Sequence, residues 1–195
     1  MKLHAARFIL VLAVLLANGL AAQEPLEIRG LVVSVHDGDT VTVKTDGETL
    51  RVRMAAIDAP ELDQPFGETA RRFTDELVYR QLVTLRVIGH DGYGRTLAFV
   101  ILSDGRVLER ELLAAGLAWQ YRMFSADRDL QDLEAEARVA HWGLWANPFP
   151  IAPWEWRRSR DGANGSHALR FEMLEIGASI NAASYTRSAT TTGDP

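Results

Sequence analysis

Residues 28–57 read IRGLVVSVHDGDTVTVKTDGETLRVRMAAI, and this stretch decides the fold. It contains three segments rich in β-branched and apolar residues, Ile28–Val35, Val41–Val43 and Thr49–Ile57. Such segments favour strands. The turns between them, HDGD and DGE, supply the glycine and short acidic side chains that tight chain reversals prefer. The pattern therefore predicts three antiparallel strands joined as a meander.

The spacing of apolar residues changes downstream of this meander. Between Phe66 and Leu82 they recur at helical spacing, with charged residues on the opposite face, which predicts an amphipathic helix. Two more strands are predicted over Leu82–Ile88 and Leu97–Leu102, followed by helices over Val107–Ala115 and Asp127–Trp142. This order predicts a five-stranded Greek-key barrel of the OB type with three helices, an α+β fold that is mainly β.

The two ends of the chain differ from this central part. Lys2 and Arg7 precede an apolar run over Phe8–Ala17, and small residues follow it up to Ala21. This pattern is typical of a secretory signal peptide over residues 1–21. An uncleaved membrane anchor is the alternative. We expect a secreted or periplasmic protein with one domain over residues 22–156. Residues 157–195 are expected to form a low-order C-terminal tail, whose removal leaves folding and activity nearly intact.

Composition limits the classes of function. The 195 residues carry a net charge of −5, and removal of residues 1–21 would leave 19 basic against 26 acidic side chains. An acidic protein does not attract polyanions through its overall field, so such a ligand would need a local basic cluster. Lys2 and Lys44 are the only lysines, so arginine would have to supply it. Cysteine is absent, so packing or a bound ion, and not disulfides, must hold an exported fold.

Charged side chains concentrate around the third predicted strand. Its alternation places Arg51 and Arg53 on one face, and Asp58 and Glu61 follow on either side of Pro60. The proline fixes the local turn at the end of the strand. Surface ion pairs beside a turn are one explanation of this pattern. A site that binds a cation or a phosphate is the other.

Two turns add residues of the same kinds. Asp39 leaves the first hairpin turn, and Arg95 leaves the loop of residues 91–95, DGYGR. Asp39 and Asp58 would offer two carboxylates to a hard cation such as Ca²⁺, with a backbone carbonyl beside Asp58 and water completing the shell. Arginine forks onto phosphate oxygens and matches the charge that builds up as a phosphodiester is attacked. A closed barrel could bring these turns together.

These motifs together resemble the thermonuclease, or staphylococcal nuclease-like, family of secreted calcium-dependent nucleases. The resemblance runs from Ile28 to Trp145, which is nearly the whole predicted domain. The motifs that carry it are DGDT at residues 37–40, Arg53 followed by DAPE at 58–61, DGYGR at 91–95, LLAAGLA at 112–118, AEAR at 135–138 and GLW at 143–145.

The resemblance implies a role for each matching residue. Asp39 and Asp58 correspond to the calcium carboxylates, and Ala59 corresponds to the position that lends a main-chain carbonyl. Glu61 corresponds to the residue that activates or positions the attacking water. The other matches are Arg53 and Arg95, implied to bind the phosphate and stabilise its transition state, and Tyr93 and Tyr121, implied to contact the nucleotide.

The function implied by the resemblance is a calcium-dependent nuclease that cuts DNA and RNA with little sequence specificity. Water would attack phosphorus and leave a 3′-phosphate end and a free 5′-hydroxyl. We expect a monomer with no stable protein partner and no membrane contact after signal cleavage. The alternative is a binding module, in which the same barrel holds single-stranded nucleic acid or a partner protein without cutting it. The presence of Arg53, Glu61 and Arg95 favours the enzyme, whereas the acidic net charge keeps the alternative open.

Overall fold

The computed structural model describes residues 25–121 and 127–163, with side chains described up to residue 160 in the last segment. The predicted signal peptide over residues 1–21 and most of the predicted tail, from residue 164 onward, lie outside the described residues. Within the described ranges, no helix is long and apolar enough to cross a membrane.

Five strands close into a barrel, as predicted. The strands are β1 Leu26–Val35, β2 Thr40–Lys44, β3 Thr49–Met54, β5 Leu82–His90 and β6 Thr96–Ile101. They follow the order β1-β2-β3-β6-β5 around the barrel, and β1 pairs with β5 to close it. All neighbours are antiparallel except β3 and β6, which run parallel. The predicted meander of the first three strands is confirmed.

The third strand is shorter than predicted. The expected strand over Thr49–Ile57 ends at Met54, because the chain bends at Ala55 and Ala56 and Ala56 adopts a φ of 62°. An L-residue in this left-handed region cannot continue a β-ladder. The chain then forms β4, Ile57–Asp58, which pairs with β7, Trp119–Gln120, in a separate two-stranded sheet. The bend therefore moves Asp58 out of the barrel wall.

The described residues form four α-helices, one more than the three predicted. Helices α1 Gly67–Val78, α2 Leu108–Ala114 and α3 Arg128–Val139 lie where the periodicity placed them, and a short 3₁₀ helix follows at Gly143–Ala146. The additional helix is α4, Pro153–Ala163. Proline at its first position is favourable, because the missing N–H would have no partner within the helix there. The predicted domain boundary after Trp156 therefore falls inside α4.

The core lies between the inner face of the barrel and the helices. The largest fully buried apolar side chains are Met54, Leu85, Leu108, Leu112, Leu113 and Leu130. A smaller cluster joins Ala137 of α3 to Leu144 and Trp145 of the 3₁₀ helix. Burial of this apolar surface is the main term that stabilises the fold, since the chain contains no cysteine. The same packing holds in place the strand ends that carry the charged side chains.

Candidate active site

The first hairpin positions Asp39 beside Arg53. Thr40, the first residue of β2, pairs with Arg53 of β3, and the Met54 N–H donates to the Asp39 carbonyl at 2.8 Å. The alternation of β3 buries Val52 and Met54 and leaves Arg51 and Arg53 on the other face, as predicted. Asp39 and Arg53 therefore project from adjacent strands at the same end of the barrel.

Gly38 allows the turn before Asp39 to pack closely. A Cβ at this position would come within 2.7 Å of the Ala59 Cβ and 2.8 Å of the Ala70 Cβ, so only glycine fits. The Thr74 hydroxyl of α1 donates to the Gly38 carbonyl at 2.7 Å. The glycine therefore holds the turn of Asp39 against the segment that carries Asp58 and Ala59.

The guanidinium of Arg53 links two carboxylates. Its Nη1 lies 2.5 Å from Asp39 Oδ2, and its Nη2 donates to Asp58 Oδ1 at 2.6 Å. Burial lowers the pKa of Arg53, but Asp39 and Asp58 outweigh burial and raise that pKa above its usual value. The side chain of Arg53 is 15% exposed, and its Nη1 is buried.

Asp39 is a buried acid in a crowded negative environment. Its Oδ2 accepts the Ala59 N–H at 2.6 Å, and its Oδ1 accepts the Thr40 hydroxyl at 3.2 Å. Burial raises the pKa of the Asp39 carboxyl to about 8, and the nearby charges of Asp37 and Asp58 act in the same direction against Arg53. A positive charge bound here would relieve that repulsion.

The donor set fits a hard cation such as Ca²⁺. Asp39 and Asp58 converge on one guanidinium, and their ligating atoms are oxygens, which this class of ion prefers. Within the described residues, no group of three or more His, Cys, Asp or Glu side chains is arranged as a metal site. The two carboxylates would therefore need the Ala59 carbonyl and water to complete a coordination shell, as the sequence predicts.

Glu61 reaches this cluster through an arginine that the sequence analysis did not single out. Arg157 of α4 donates from Nη1 to Glu61 Oε1 at 2.6 Å and to Asp58 Oδ1 at 3.2 Å. Its Nη2 donates to Asp58 Oδ2 at 2.8 Å. These hydrogen bonds, first the one to Asp58, raise the pKa of Arg157 above its usual value. A signal was present in the sequence, because Pro153 can begin a helix and Trp154 and Arg157 are spaced to share one face.

The loop that follows Glu61 is fixed by Gln64. The Gln64 Oε1 accepts the Glu61 N–H at 3.1 Å, and the Gln64 N–H donates to the Glu61 carbonyl at 2.9 Å. Its Nε2 donates to the Ile151 carbonyl, just before α4, at 2.6 Å. Gln64 is buried, so these bonds are shielded from water. The backbone of Glu61 is therefore tied to the segment that leads into α4.

Arg95 and Tyr93 lie on the loop between β5 and β6. Arg95 Nε pairs with Asp91 Oδ2 at 2.6 Å, and its guanidinium carbon lies 5.6 Å from the centre of the Tyr93 ring. Burial acts to raise the pKa of Asp91, but hydrogen bonds from Arg95 and Tyr93 hold it below its usual value. Tyr93 is 88% exposed. The structure therefore places these residues on a neighbouring loop, with Arg95 paired to Asp91 and not to the acids around Arg53.

That loop is nevertheless close to the cluster in the barrel wall. The parallel register of β3 and β6 pairs Arg53 with Leu97, two residues after Arg95. A side chain as long as arginine can span such a separation when its ion pair opens. The structure thus brings together Arg53, Asp39, Asp58 and Ala59, adds Glu61 through Arg157, and leaves Arg95 beside them.

Tyr121 belongs to an aromatic cluster next to Asp58. It follows β7, in which Trp119 pairs with Asp58 of β4. The Tyr121 and Trp154 ring centroids are 5.9 Å apart, and those of Trp119 and Trp154 are 5.6 Å apart. Trp119 also contacts the buried Trp145, with centroids at 4.5 Å. Tyr121 therefore lies beside α4, whereas Tyr93 lies on the loop between β5 and β6.

Among known proteins, a family model described as staphylococcal nuclease homologue matches residues 51–147 of this chain. The micrococcal nuclease of Shigella flexneri is 39% identical over 147 residues, covering 70% of this chain and 84% of that protein. Protein ParB of Escherichia coli is 40% identical over 142 residues, covering 68% and 80%. An uncharacterized endonuclease of Escherichia coli O157:H7 is 37% identical over 134 residues, covering 69% and 88%.

Proposed function

This chain belongs to the staphylococcal nuclease family, and from that premise we propose that it is a calcium-dependent nuclease that hydrolyses phosphodiester bonds of DNA and RNA with little sequence specificity. The proposed products carry a 3′-phosphate and a 5′-hydroxyl end. The observation that carries the proposal is the guanidinium of Arg53 held between the carboxylates of Asp39 and Asp58. This arrangement can present a positive fork to phosphate beside two oxygen ligands for a cation.

Arg53 would bind the non-bridging oxygens of the scissile phosphate. Its guanidinium is already oriented by two acids, so little side-chain entropy is lost when the phosphate binds. Donors fixed in place before the reaction stabilise the charge that builds up on phosphorus oxygens in the transition state. Arg95 would bind the phosphate with a second guanidinium after its ion pair with Asp91 opens.

Glu61 would orient the attacking water or remove its proton. Its side chain is partly exposed, at 34%, and its backbone is held by Gln64, so water can reach a carboxylate whose position is fixed. A general base at the correct distance typically contributes roughly 10²- to 10⁴-fold in rate. The carboxylate would take this role once Arg157 no longer occupies its Oε1 oxygen.

A Ca²⁺ ion held by Asp39, Asp58 and the Ala59 carbonyl would offset phosphate charge and act as a Lewis acid. The residues themselves supply the rest of the chemistry. The Tyr93 ring on the loop between β5 and β6 and the Tyr121 ring beside α4 would contact the sugar or base of the bound strand.

We also propose that the protein acts outside the cytoplasm. The support is the sequence pattern of residues 1–21, in which Lys2 and Arg7 precede a short apolar run and small residues end at Ala21. Millimolar calcium is typical of extracellular sites, and a calcium-dependent nuclease there would not meet the cell's own nucleic acid. We further propose that it acts as a monomer, without a stable protein partner.

The test is a cleavage assay with the purified protein. Plasmid DNA and a structured RNA are each incubated in Ca²⁺ and in chelator, and the end groups of the products are determined. We expect both substrates to be cut in Ca²⁺ only, with 3′-phosphate ends. Full cleavage in chelator would contradict the metal assignment. Binding of single strands without cleavage in Ca²⁺ would favour the binding module instead.

A further inference from the structure

Helix α4 brings a third arginine into the site. The family model ends at residue 147, so α4 lies beyond the matched region. Arg157 nevertheless contacts two residues to which the proposed mechanism assigns roles, Asp58 and Glu61, through three hydrogen bonds of 2.6 to 3.2 Å. Arg157 is therefore positioned by the same acids that would serve the reaction.

This contact differs from an ordinary surface ion pair. Exposed pairs are worth little, because water solvates both partners and screens their charges. Here one partner, Asp58, has a side chain that is only 2% exposed, and Arg157 engages both of its oxygens. The side chain of Arg157 itself is 45% exposed, so the guanidinium can also face a ligand arriving from solvent.

Other contacts of α4 fix the position of Arg157. Trp154, one turn earlier on the same face, packs against Trp119 and Tyr121. Trp156 Nε1 donates to Asp63 Oδ1 at 3.3 Å, and Arg160 pairs with the same carboxylate. Because Asp63 and Gln64 belong to the loop after Glu61, the helix and that loop form one unit.

Charge balance explains why the free protein holds Arg157 in this place. Asp39, Asp58 and Glu61 carry up to three negative charges, and Arg53 alone does not balance them. Arg157 supplies a second positive charge, next to Asp58 and Glu61. A cation that binds an oxygen of Asp58 would be repelled by the positive charge of Arg157. A phosphate, in contrast, would offer two acceptor oxygens to the guanidinium of Arg157.

We propose that Arg157 is a substrate-binding residue: Asp58 and Glu61 hold its guanidinium in the free protein, and it transfers to a phosphate of the nucleic-acid backbone when substrate binds. This inference rests on the proposed function. On this inference, α4 contributes a positively charged contact to the nucleic-acid backbone in a chain that has only two lysines. It also implies that Arg157 competes with a cation for Asp58 as long as no nucleic acid is present.

The first arm of the test measures calcium binding without nucleic acid, by isothermal titration of the full chain. In the Arg157→Ala variant we expect Ca²⁺ to bind at least about threefold more tightly than in the parent, because a like charge has been removed. The matched control is Arg158→Ala, on the same helix, whose Nε donates to the Trp154 carbonyl one turn earlier. It should bind Ca²⁺ as the parent does.

The second arm measures turnover of a single-stranded oligonucleotide in saturating Ca²⁺. We expect Arg157→Ala to raise KM by about tenfold, the usual cost of one charge-assisted hydrogen bond, while Arg158→Ala leaves KM unchanged. Arg157→Lys should recover only part of the loss, because an ammonium lacks the fork. Melting temperatures show which variants are folded, and Arg157→Lys keeps the test valid if Arg157→Ala unfolds.

The two arms separate this inference from the proposed function. A parent protein that does not cut DNA in Ca²⁺ contradicts the proposed function, and the calcium titration still tests Arg157. Tighter Ca²⁺ binding together with a raised KM in folded Arg157→Ala supports the inference. Unchanged Ca²⁺ affinity and unchanged KM would overturn it and leave Arg157 as a structural ion pair of α4.

Discussion

Arg53 and Arg51 extend from the same face of β3 but have different surroundings. Arg51 is exposed, whereas the guanidinium of Arg53 lies 2.5 and 2.6 Å from two carboxylates of separate elements. Its position is therefore fixed before any ligand arrives, and a planar fork can replace one acid with a phosphate while keeping the other. The two arginines form a matched pair, one inside the proposed site and one outside it.

Replacing Arg53 by lysine tests whether the fork matters. We expect Arg53→Lys to lower kcat roughly 10²- to 10³-fold, because lysine keeps the charge but cannot present two parallel donors. Arg51→Ala should change kcat severalfold at most, as expected of a surface charge. The measurement is steady-state cleavage of single-stranded DNA in Ca²⁺, with a melting curve for each variant. A parental kcat in Arg53→Lys would show that the positive charge suffices and that the fork of Arg53 is not needed.

Glu109 is a fully buried acid on α2 whose ionisation affects stability. The Val100 N–H donates to its two carboxylate oxygens at 3.1 and 3.2 Å. Burial raises the pKa of Glu109 from 4.5 to about 8, against the lowering effect of its backbone hydrogen bonds. The folded protein therefore holds a proton that the unfolded chain releases. The resulting stability is complete below pH 4.5 and is lost as pH rises through about 8.

A Glu109→Gln variant removes this titration and keeps an acceptor for the Val100 N–H. We expect its free energy of unfolding, relative to the parent, to rise from pH 5 to pH 8.5 by at least about 1 kcal/mol, since the parent alone loses stability over that range. Urea unfolding at several pH values gives the comparison. Asp39 titrates in both proteins, and its charge is one of the causes that raise the pKa of Glu109, so the difference reports Glu109 together with its coupling to Asp39. A relative stability that does not change with pH would show that Glu109 is charged in the fold.

At the scale of elements, the length of a periodic pattern decided what could be predicted. The barrel strands and helices α1 to α3 carry five or more residues of regular alternation or helical spacing, and the structure has them within a few residues of the predicted bounds. Strands β4 and β7 have two residues each, which is too short for any period. Helix α4 is largely polar and is held by tryptophans and ion pairs, so its sequence resembles a tail.

The same reasoning applies to the elements that form the site. The turn that carries Asp39 and the strand end that carries Asp58 were visible as acidic motifs, and hairpin register brings the first beside Arg53. The contact between Glu61 and Arg157 joins residues from distant parts of the chain, across the docking of α4 on the loop of Gln64. No local pattern encodes that docking. Arg95 was predicted as a phosphate ligand, but its nearest acid, Asp91, holds it in the free protein.

Truncation tests the role of α4 as an element. The sequence alone favours a chain that tolerates ending after Trp156, but the structure places Arg157 and Arg160 beyond that point, in contact with Asp58, Glu61 and Asp63. We expect truncation after Trp156 to lower the melting temperature and to raise KM at least as much as Arg157→Ala does. Truncation after Ala163 keeps every described contact of α4 and is the control. Equal melting temperatures and KM values in the two truncated proteins would show that α4 is dispensable.

At the scale of the whole molecule, an acidic protein is proposed to act on a polyanion. The net charge of −5 repels nucleic acid at long range, so attraction must come from the few arginines that surround the cluster of acids. The closed barrel contributes to this, because the pairing of β3 with β2 and β6 puts Arg53 beside the turn of Asp39 and near the loop that carries Arg95. Binding would then depend on a small number of strong contacts and not on an extended basic surface.

The salt dependence of binding counts those contacts. If Arg53, Arg95 and Arg157 are the phosphate-binding residues, the slope of log affinity against log salt for single-stranded DNA should be about −2, because each neutralised phosphate of a single strand contributes about −0.7. The measurement is fluorescence anisotropy in chelator, where the strand is not cut. Arg157→Ala should make the slope less steep by about 0.7, whereas Arg158→Ala should leave it unchanged. A parental slope steeper than about −5 would mean that a broader basic surface contributes, and that three arginines do not account for recognition.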